Sequence, residues 1–184
     1  NGEDLNTNPD QSPSRWVINF FDWPEEKCRK EYPDCFEIVE RLVKPERMKV
    51  NRAVRRDKWW QFAERASKLY QTIKSLERTL IVAQTTKTMS FCFQPNVYVY
   101  SMMTIVFSFE RYGTFVVLQS SLHECWARKY ASTLETRLRY TPSDIFETFP
   151  FPQNQPTGME SLLEQIGEKY HHHRQQLMLK MQLG

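Results

Sequence analysis

Glycine is scarce in this sequence: the five glycines, Gly2, Gly113, Gly158, Gly167 and Gly184, are spread along the chain. A GxGxxG turn or a P-loop needs clustered glycines so that backbone N–H groups can approach a phosphate, and neither pattern is present. That argues against a self-contained cofactor enzyme. The four cysteines, Cys28, Cys35, Cys92 and Cys125, form no CxxC pair and lie in segments that look apolar or helical. Neither a zinc knuckle nor a disulfide framework is signalled, and buried free thiols are the expectation. No apolar run approaches the ~18 residues of a membrane span, and the N-terminus is polar where a signal peptide would be apolar. The chain therefore reads as soluble and cytoplasmic, with no membrane partner. An excess of one charge is also missing, because 25 basic against 22 acidic residues leave +3. Attraction for a polyanion must come from local clustering.

What is present is 184 residues, 40% hydrophobic and 14% aromatic, enough for one real core and too little for two. The chain opens on Asn1-Gly2 without an initiator Met and stops on Leu183-Gly184, which reads as a piece of a larger polypeptide. Residues 1–14 are polar apart from Leu5 and read as a leader or surface strap. Residues 15–152 read as the principal domain, and residues 153–184 as a linker and C-terminal helix.

Within the principal domain, Trp16-Val17-Ile18-Asn19-Phe20 has the bias of a short strand, and Pro24 with Glu25 and Glu26 suits a helix start. Phe36, Val39, Leu42 and Val43 recur at helical spacing until Pro45 interrupts them. Leu69, Ile73 and Leu76 mark a further helix. The period then switches to strands at 80–84, 89–93, 97–100 and 104–109, with Pro95-Asn96 as a turn. Residues 112–126 read as one amphipathic helix carrying Phe115, Leu118, Leu122 and Trp126, and a short strand is expected near Leu138 to Tyr140. Phe149-Pro150-Phe151-Pro152 must be extended, since each proline disfavours helix before it. The last helix runs from Met159 towards Leu183. The whole reads as an α+β domain, a mixed and largely antiparallel sheet flanked by helices.

Several constellations invite a chemical reading. His123-Glu124 begins an HExxH pattern, but position 127 is Ala, so the second zinc ligand is absent and a helix surface pair is expected. His171, His172 and His173 point about 100° apart on a helix, cannot converge on one metal, and read as solvated residues. Asp10, Glu25 and Lys27 can be laid on the outline of a metal-dependent nuclease. That chemistry needs carboxylates on adjacent strands, whereas Asp10 lies in the polar leader and Glu25 in a helix. Of Trp59 and Trp60, one is assigned to the core.

Two basic clusters are more pointed. Segment 47–58 holds Arg47, Lys49, Arg52, Arg55, Arg56 and Lys58 before the Trp pair, the composition of a phosphate clamp. Arg137, Arg139 and Tyr140 add a second patch ahead of the Pro142 turn. Between two strands, Thr85-Thr86-Lys87-Thr88 offers hydroxyls and an ammonium that can reach base edges.

Several stretches together resemble the C-terminal target recognition domain of the large bacterial N6-adenine DNA methyltransferases, including those fused to a restriction nuclease in one polypeptide. They are Gly2-Glu3-Asp4-Leu5-Asn6, Arg15-Trp16-Val17-Ile18-Asn19-Phe20, Tyr32-Pro33-Asp34, Val43-Lys44-Pro45-Glu46-Arg47, Arg55-Arg56 with Trp59-Trp60, and Leu122-His123-Glu124-Cys125-Trp126-Ala127-Arg128. The most specific is Leu138-Arg139-Tyr140-Thr141-Pro142-Ser143-Asp144-Ile145-Phe146-Glu147-Thr148-Phe149-Pro150-Phe151-Pro152.

The resemblance implies a division of labour. An upstream domain of the same polypeptide would bind S-adenosylmethionine and carry the Asn-Pro-Pro-Tyr site, with Mg²⁺ needed where a nuclease is attached. This domain would read double-stranded DNA and hold no cofactor, metal or catalytic residue of its own. Base readout maps onto Thr85, Thr86, Lys87 and Thr88 and onto segment 97–103. Phosphate contacts map onto Arg52, Arg55, Arg56, Lys58, Arg137 and Arg139. Thr85-Thr86 stands where a basic or Ser-type loop is the family expectation, which leaves the base preference open. Two other readings are a protein-interaction or scaffold domain anchored by the basic helix and the Trp pair, and the nuclease using Asp10, Glu25 and Lys27.

Overall fold

The structure, a computed structural model, describes residues 1–134, 137–153 and 156–181. In chain order the first elements are helices α1 (Gly2–Thr7), α2 (Glu25–Glu31), α3 (Pro33–Leu42), α4 (Lys44–Met48), α5 (Ala53–Asp57) and α6 (Ser67–Ile73). Strands β1 (Arg78–Ala83), β2 (Thr85–Thr86), β3 (Cys92–Pro95) and β4 (Thr104–Phe107) follow. Helices α7 (Tyr112–Leu118) and α8 (Ser121–Tyr130), strands β5 (Ser132–Leu134) and β6 (Arg137–Arg139), and helices α9 (Pro142–Ile145) and α10 (Met159–Met181) complete the order. They form two compact units, one of Asn1–Ser14 with Thr72–Gly184 and one of Arg15–Gln71.

The larger unit is built on a three-stranded antiparallel sheet in the order β3-β1-β4. Central β1 is buried along Thr79 to Ala83, and its alternation splits the core. Leu80 and Val82 face a cluster with Phe91, Phe107, Phe115, Leu118 and Tyr140, while Ile81 and Ala83 meet Cys92 and Leu5. A second antiparallel sheet of three short strands, β2-β6-β5, sets Thr86 opposite Leu138. The α+β architecture, with an antiparallel sheet flanked by helices and a C-terminal helix, is what the sequence leads one to expect. Helix α10 lies along α7, and Gly167 permits the close approach, because a Cβ there would run into the Tyr112 carbonyl.

Where chain length suggests one core and too little for two, the smaller unit packs Phe20, Cys28, Phe36, Val39 and Trp59 into a core of its own, with Trp60 partly buried beside them, because five aromatic and apolar side chains suffice for a unit of this size. Helix α3 follows the expected Phe36 and Val39 spacing, and the chain breaks before Pro45 and restarts as α4.

Four local expectations need correction. Residues 1–7 are not a strap: Asn1 caps α1, its side chain accepting from Glu3 N–H at 2.6 Å, and Leu5 is buried against the sheet. Segment 16–20 is extended but joins no sheet among the described residues, with Trp16 and Val17 exposed and Phe20 turned into the core. Segment 97–100 is a turn and irregular chain. Residues 112–126 are two helices, because the Ser120 side chain accepts from His123 N–H at 3.3 Å and starts a new helix. The Phe149 to Pro152 strip is helix-free as expected, with Phe149 and Phe151 edge-to-face at 5.1 Å.

Candidate nucleic-acid interface

The sequence places Thr85, Thr86, Lys87 and Thr88 in a loop, whereas Thr85 and Thr86 form β2, paired to Arg139 and Leu138 of β6. This pairing brings the second basic patch beside the polar run. Thr85, Thr86, Lys87 and Thr88 line a cleft of about 350 Å³ together with Asn6, Ser90 and Arg137. Leu5 and Met178 complete its lining, and among the described residues no carboxylate takes part in it.

The members of the cleft have different environments. Thr86 is 3% exposed, and its hydroxyl lies 3.0 Å from Asn6 Oδ1 and 2.7 Å from the Thr88 carbonyl, two acceptors sharing one proton. Asn6 Nδ2 in turn donates to the Thr85 carbonyl at 3.2 Å. Thr86 therefore supports the turn, and its hydroxyl is not presented to solvent. Lys87 is exposed, and its ammonium makes no hydrogen bond or ion pair among the described residues. Its carbonyl accepts from Arg128 Nη2 at 3.3 Å, and Arg128 is braced by Glu124 at 2.6 Å. A braced backbone carrying an exposed cation results. Arg137 and Arg139 are exposed on either side of buried Leu138, as alternation on a strand requires. Asn6 and Met178, on α1 and α10, were not foreseen in this cleft; the capping residue Asn1 was the available signal for α1.

The first basic cluster belongs to the smaller unit. Arg52 stands at the N-cap position of α5 and Lys58 at its C-cap, both exposed. Arg55 lies 3.8 Å from Glu64. Arg56 Nη1 donates to the Val50 and Asn51 carbonyls at 2.8 and 2.9 Å, which ties the chain entering α5. Lys49 pairs with Glu46 at 2.7 Å. In segment 97–103, Tyr100 is anchored by Thr79 at 2.7 Å, while Val97 and Met102 are exposed.

The remaining constellations resolve structurally. Glu25 is on α2 and paired with Arg29, Lys27 lies 3.7 Å from the Trp23 ring centroid, and the Asp10 carboxylate accepts from Ser12 N–H at 3.0 Å. The strand geometry of the nuclease outline is therefore not formed by Glu25. His123 is not a surface residue: it is fully buried, its Nδ1–H donates to the Leu118 carbonyl at 2.7 Å, and Tyr140 Oη lies 3.3 Å from Nε2. Burial lowers its pKa below the ordinary value and raises that of the Tyr140 phenol. His171 is likewise half-buried, between Phe93, Tyr112 and Phe115, and burial with Arg174 nearby pushes its pKa down to about 4. Cys28 and Cys92 are buried as expected, but Cys35 is only partly covered and Cys125 is exposed. The Cys92 thiol is pushed up to about 11 by burial. Trp59 takes the core position of the Trp pair. A larger hollow of about 460 Å³ beside Arg111 and Phe151 offers no uncompensated cation, since Arg111 is paired with Glu160 and Glu164.

Comparison with known proteins adds three findings. A family model described as the target recognition domain of MmeI matches residues 11–153. A solved structure of the type IIL restriction-modification enzyme MmeI in complex with DNA superposes with a TM-score of 0.55 at 20% identity, covering 68% of this chain and 17% of that one. No curated protein matches. The structural likeness establishes the shared fold, and this chain spans a small fraction of that enzyme's length. With the family model matching most of the sequence, through the two sheets and the Phe149 to Pro152 strip, the chain belongs to the MmeI target recognition domain family.

Proposed function

We propose that this chain reads a base sequence in double-stranded DNA on behalf of a larger restriction-modification polypeptide that methylates adenine at N6. The rest of that polypeptide would bind S-adenosylmethionine and carry out the transfer, and would use Mg²⁺ where a nuclease is attached. The observation that carries the reading is the cleft in which Lys87, Thr85, Thr88 and Arg137 gather, with no carboxylate among the described residues of its lining, in a chain of this family. An ammonium and hydroxyls on short arms suit the acceptors and donors of major-groove base edges. The solved relative was captured in complex with DNA, which supports the same class of partner here.

Lys87 is the principal reader in this scheme, with Thr85 and Thr88 beside it and Thr86 holding the turn. Arg137 and Arg139 contact phosphates next to the cleft. Arg52, Arg55 and Lys58 do so from the smaller unit, where Arg56 fixes the backbone that presents them. A salt titration against a random duplex pool, followed by sequencing of the retained DNA, tests this. Enrichment of one short motif, with affinity falling steeply as salt rises, is expected. Salt-dependent binding without enrichment reduces the domain to a nonspecific clamp, and absence of binding at low salt refutes the reading.

A further inference from the structure

The smaller unit contains a second cleft, of about 260 Å³, which the proposed readout does not use. It arises from the adjacent phenylalanines of Phe20-Phe21-Asp22-Trp23. Phe20 enters the core, whereas Phe21 is 40% exposed and meets Tyr70 edge-to-face at 5.4 Å. The outward turn of Phe21 is imposed by its backbone. Phe21 sits at φ 47° and Ala66, between the lining residues Arg65 and Ser67, at φ 49°, a left-handed region that residues with a Cβ rarely occupy. Two such residues flanking one cleft persist only where the surroundings fix them, and strain of this kind clusters at binding sites.

The walls are held in place by convergent hydrogen bonds. The Trp23 carbonyl accepts from Trp60 Nε1 and Gln61 Nε2, each at 2.9 Å. Gln61 Oε1 accepts from Arg65 Nη1 at 3.5 Å, which places the guanidinium at the rim. The lining thus combines aromatic surfaces of Phe21, Trp23 and Tyr70 with an acceptor, Asp22, a cationic donor, Arg65, and the Ser67 hydroxyl. A purely apolar ligand would make no use of these polar groups. A flat ring with polar edges, joined to an anionic backbone, satisfies all of them: it stacks on the aromatics, donates to Asp22 and accepts from Arg65.

We propose that this cleft binds an unpaired nucleobase, that of a nucleotide standing outside the duplex. The proposal rests on the reading of the chain as a DNA-handling domain, and its test separates the two. Anisotropy is measured on the full chain with a labelled single-stranded oligothymidylate, the same backbone carrying abasic sugars, and a duplex. The base-bearing strand should bind about 5- to 150-fold more tightly than the abasic one. Phe21→Ala and Tyr70→Ala should each erase most of that ratio, Tyr70→Phe should preserve it, and the duplex affinity of every variant should be retained. Equal binding of the two single strands, or a ratio untouched by Phe21→Ala and Tyr70→Ala, overturns the site even where duplex binding persists. Absence of duplex binding with the ratio intact refutes the proposed function and leaves the cleft assigned. Saturable binding of a proline-rich peptide in place of oligothymidylate overturns the proposal in favour of a peptide groove.

Discussion

Thr86 and Lys87 are adjacent in sequence and opposite in environment, and that contrast yields a separable pair of predictions. Thr86→Val keeps the shape of the side chain but leaves Asn6 Oδ1 and the Thr88 carbonyl without their donor. Urea unfolding should show a loss of about 1–2 kcal/mol. Lys87→Ala, at an exposed position, should leave stability within about 0.5 kcal/mol of the parent and instead change base preference by about 1–3 kcal/mol in duplex selection. Arg137→Ala should weaken all sequences alike and lower the salt slope by about one. The composition of the Thr85 to Thr88 run was enough to single it out in the sequence. The roles within it were not legible, because the partner of Thr86 is Asn6, 80 residues away. His123 and His171 were misjudged for the same reason: polarity in sequence says little when a carbonyl or an aromatic cluster elsewhere in the chain encloses the ring.

At the scale of elements, the contact between α7 and α10 depends on one missing side chain. A methyl group at Gly167 would overlap the Tyr112 carbonyl, which is backbone and cannot rotate away. Gly167→Ala should therefore destabilise the larger unit by about 1–3 kcal/mol despite its better helix propensity, as read by thermal unfolding. An unchanged or raised midpoint would show that the helices can separate without loss. Glu164 ties the same junction, accepting from Tyr112 and Gly113 N–H at 2.9 and 2.8 Å, so the N-terminus of α7 is closed by a carboxylate. Elements that their own residues declare were legible in the sequence: α3 by its helical spacing, β1 by its β-branched apolar run, and α10 by a long stretch without proline. Those defined by tertiary partners were not. Helix α1 is short and polar and is held by the burial of Leu5, segment 16–20 has strand composition but no ladder, and the apolar period of 112–126 runs across a break made by the Ser120 cap.

For the molecule as a whole, the two enclosed imidazoles make the larger unit acid-sensitive. His123 and His171 both have pKa values lowered by burial, His171 to about 4. A lowered histidine pKa means that the ring stays neutral in the folded chain where in the unfolded chain, near 6.5, it takes up a proton. The contribution to stability is thus complete above about pH 6.5 and is lost as pH falls, for His171 until about pH 4. A fully enclosed ring would cost about 1.4 kcal/mol per pH unit in this window. Partial exposure of His171 reduces its share, so a loss of no more than about 2 kcal/mol from His171 is expected between about pH 7 and about pH 5, with His123 acting in the same direction. Glu40, held down to about 2 by Arg29 and Lys44, adds its own acid sensitivity as pH falls below the ordinary carboxylate range, under about pH 5. Arg78, His172 and Arg174 also disfavour a charged His171, so added salt should flatten part of the slope. Urea unfolding at matched ionic strength measures the effect, and His171→Phe, which fits the surrounding Phe93, Tyr112 and Phe115 rings, should remove the His171 share of the pH dependence. Stability that stays flat from about pH 7 to about pH 5, in parent and variant alike, would mean that these rings can take up a proton inside the fold.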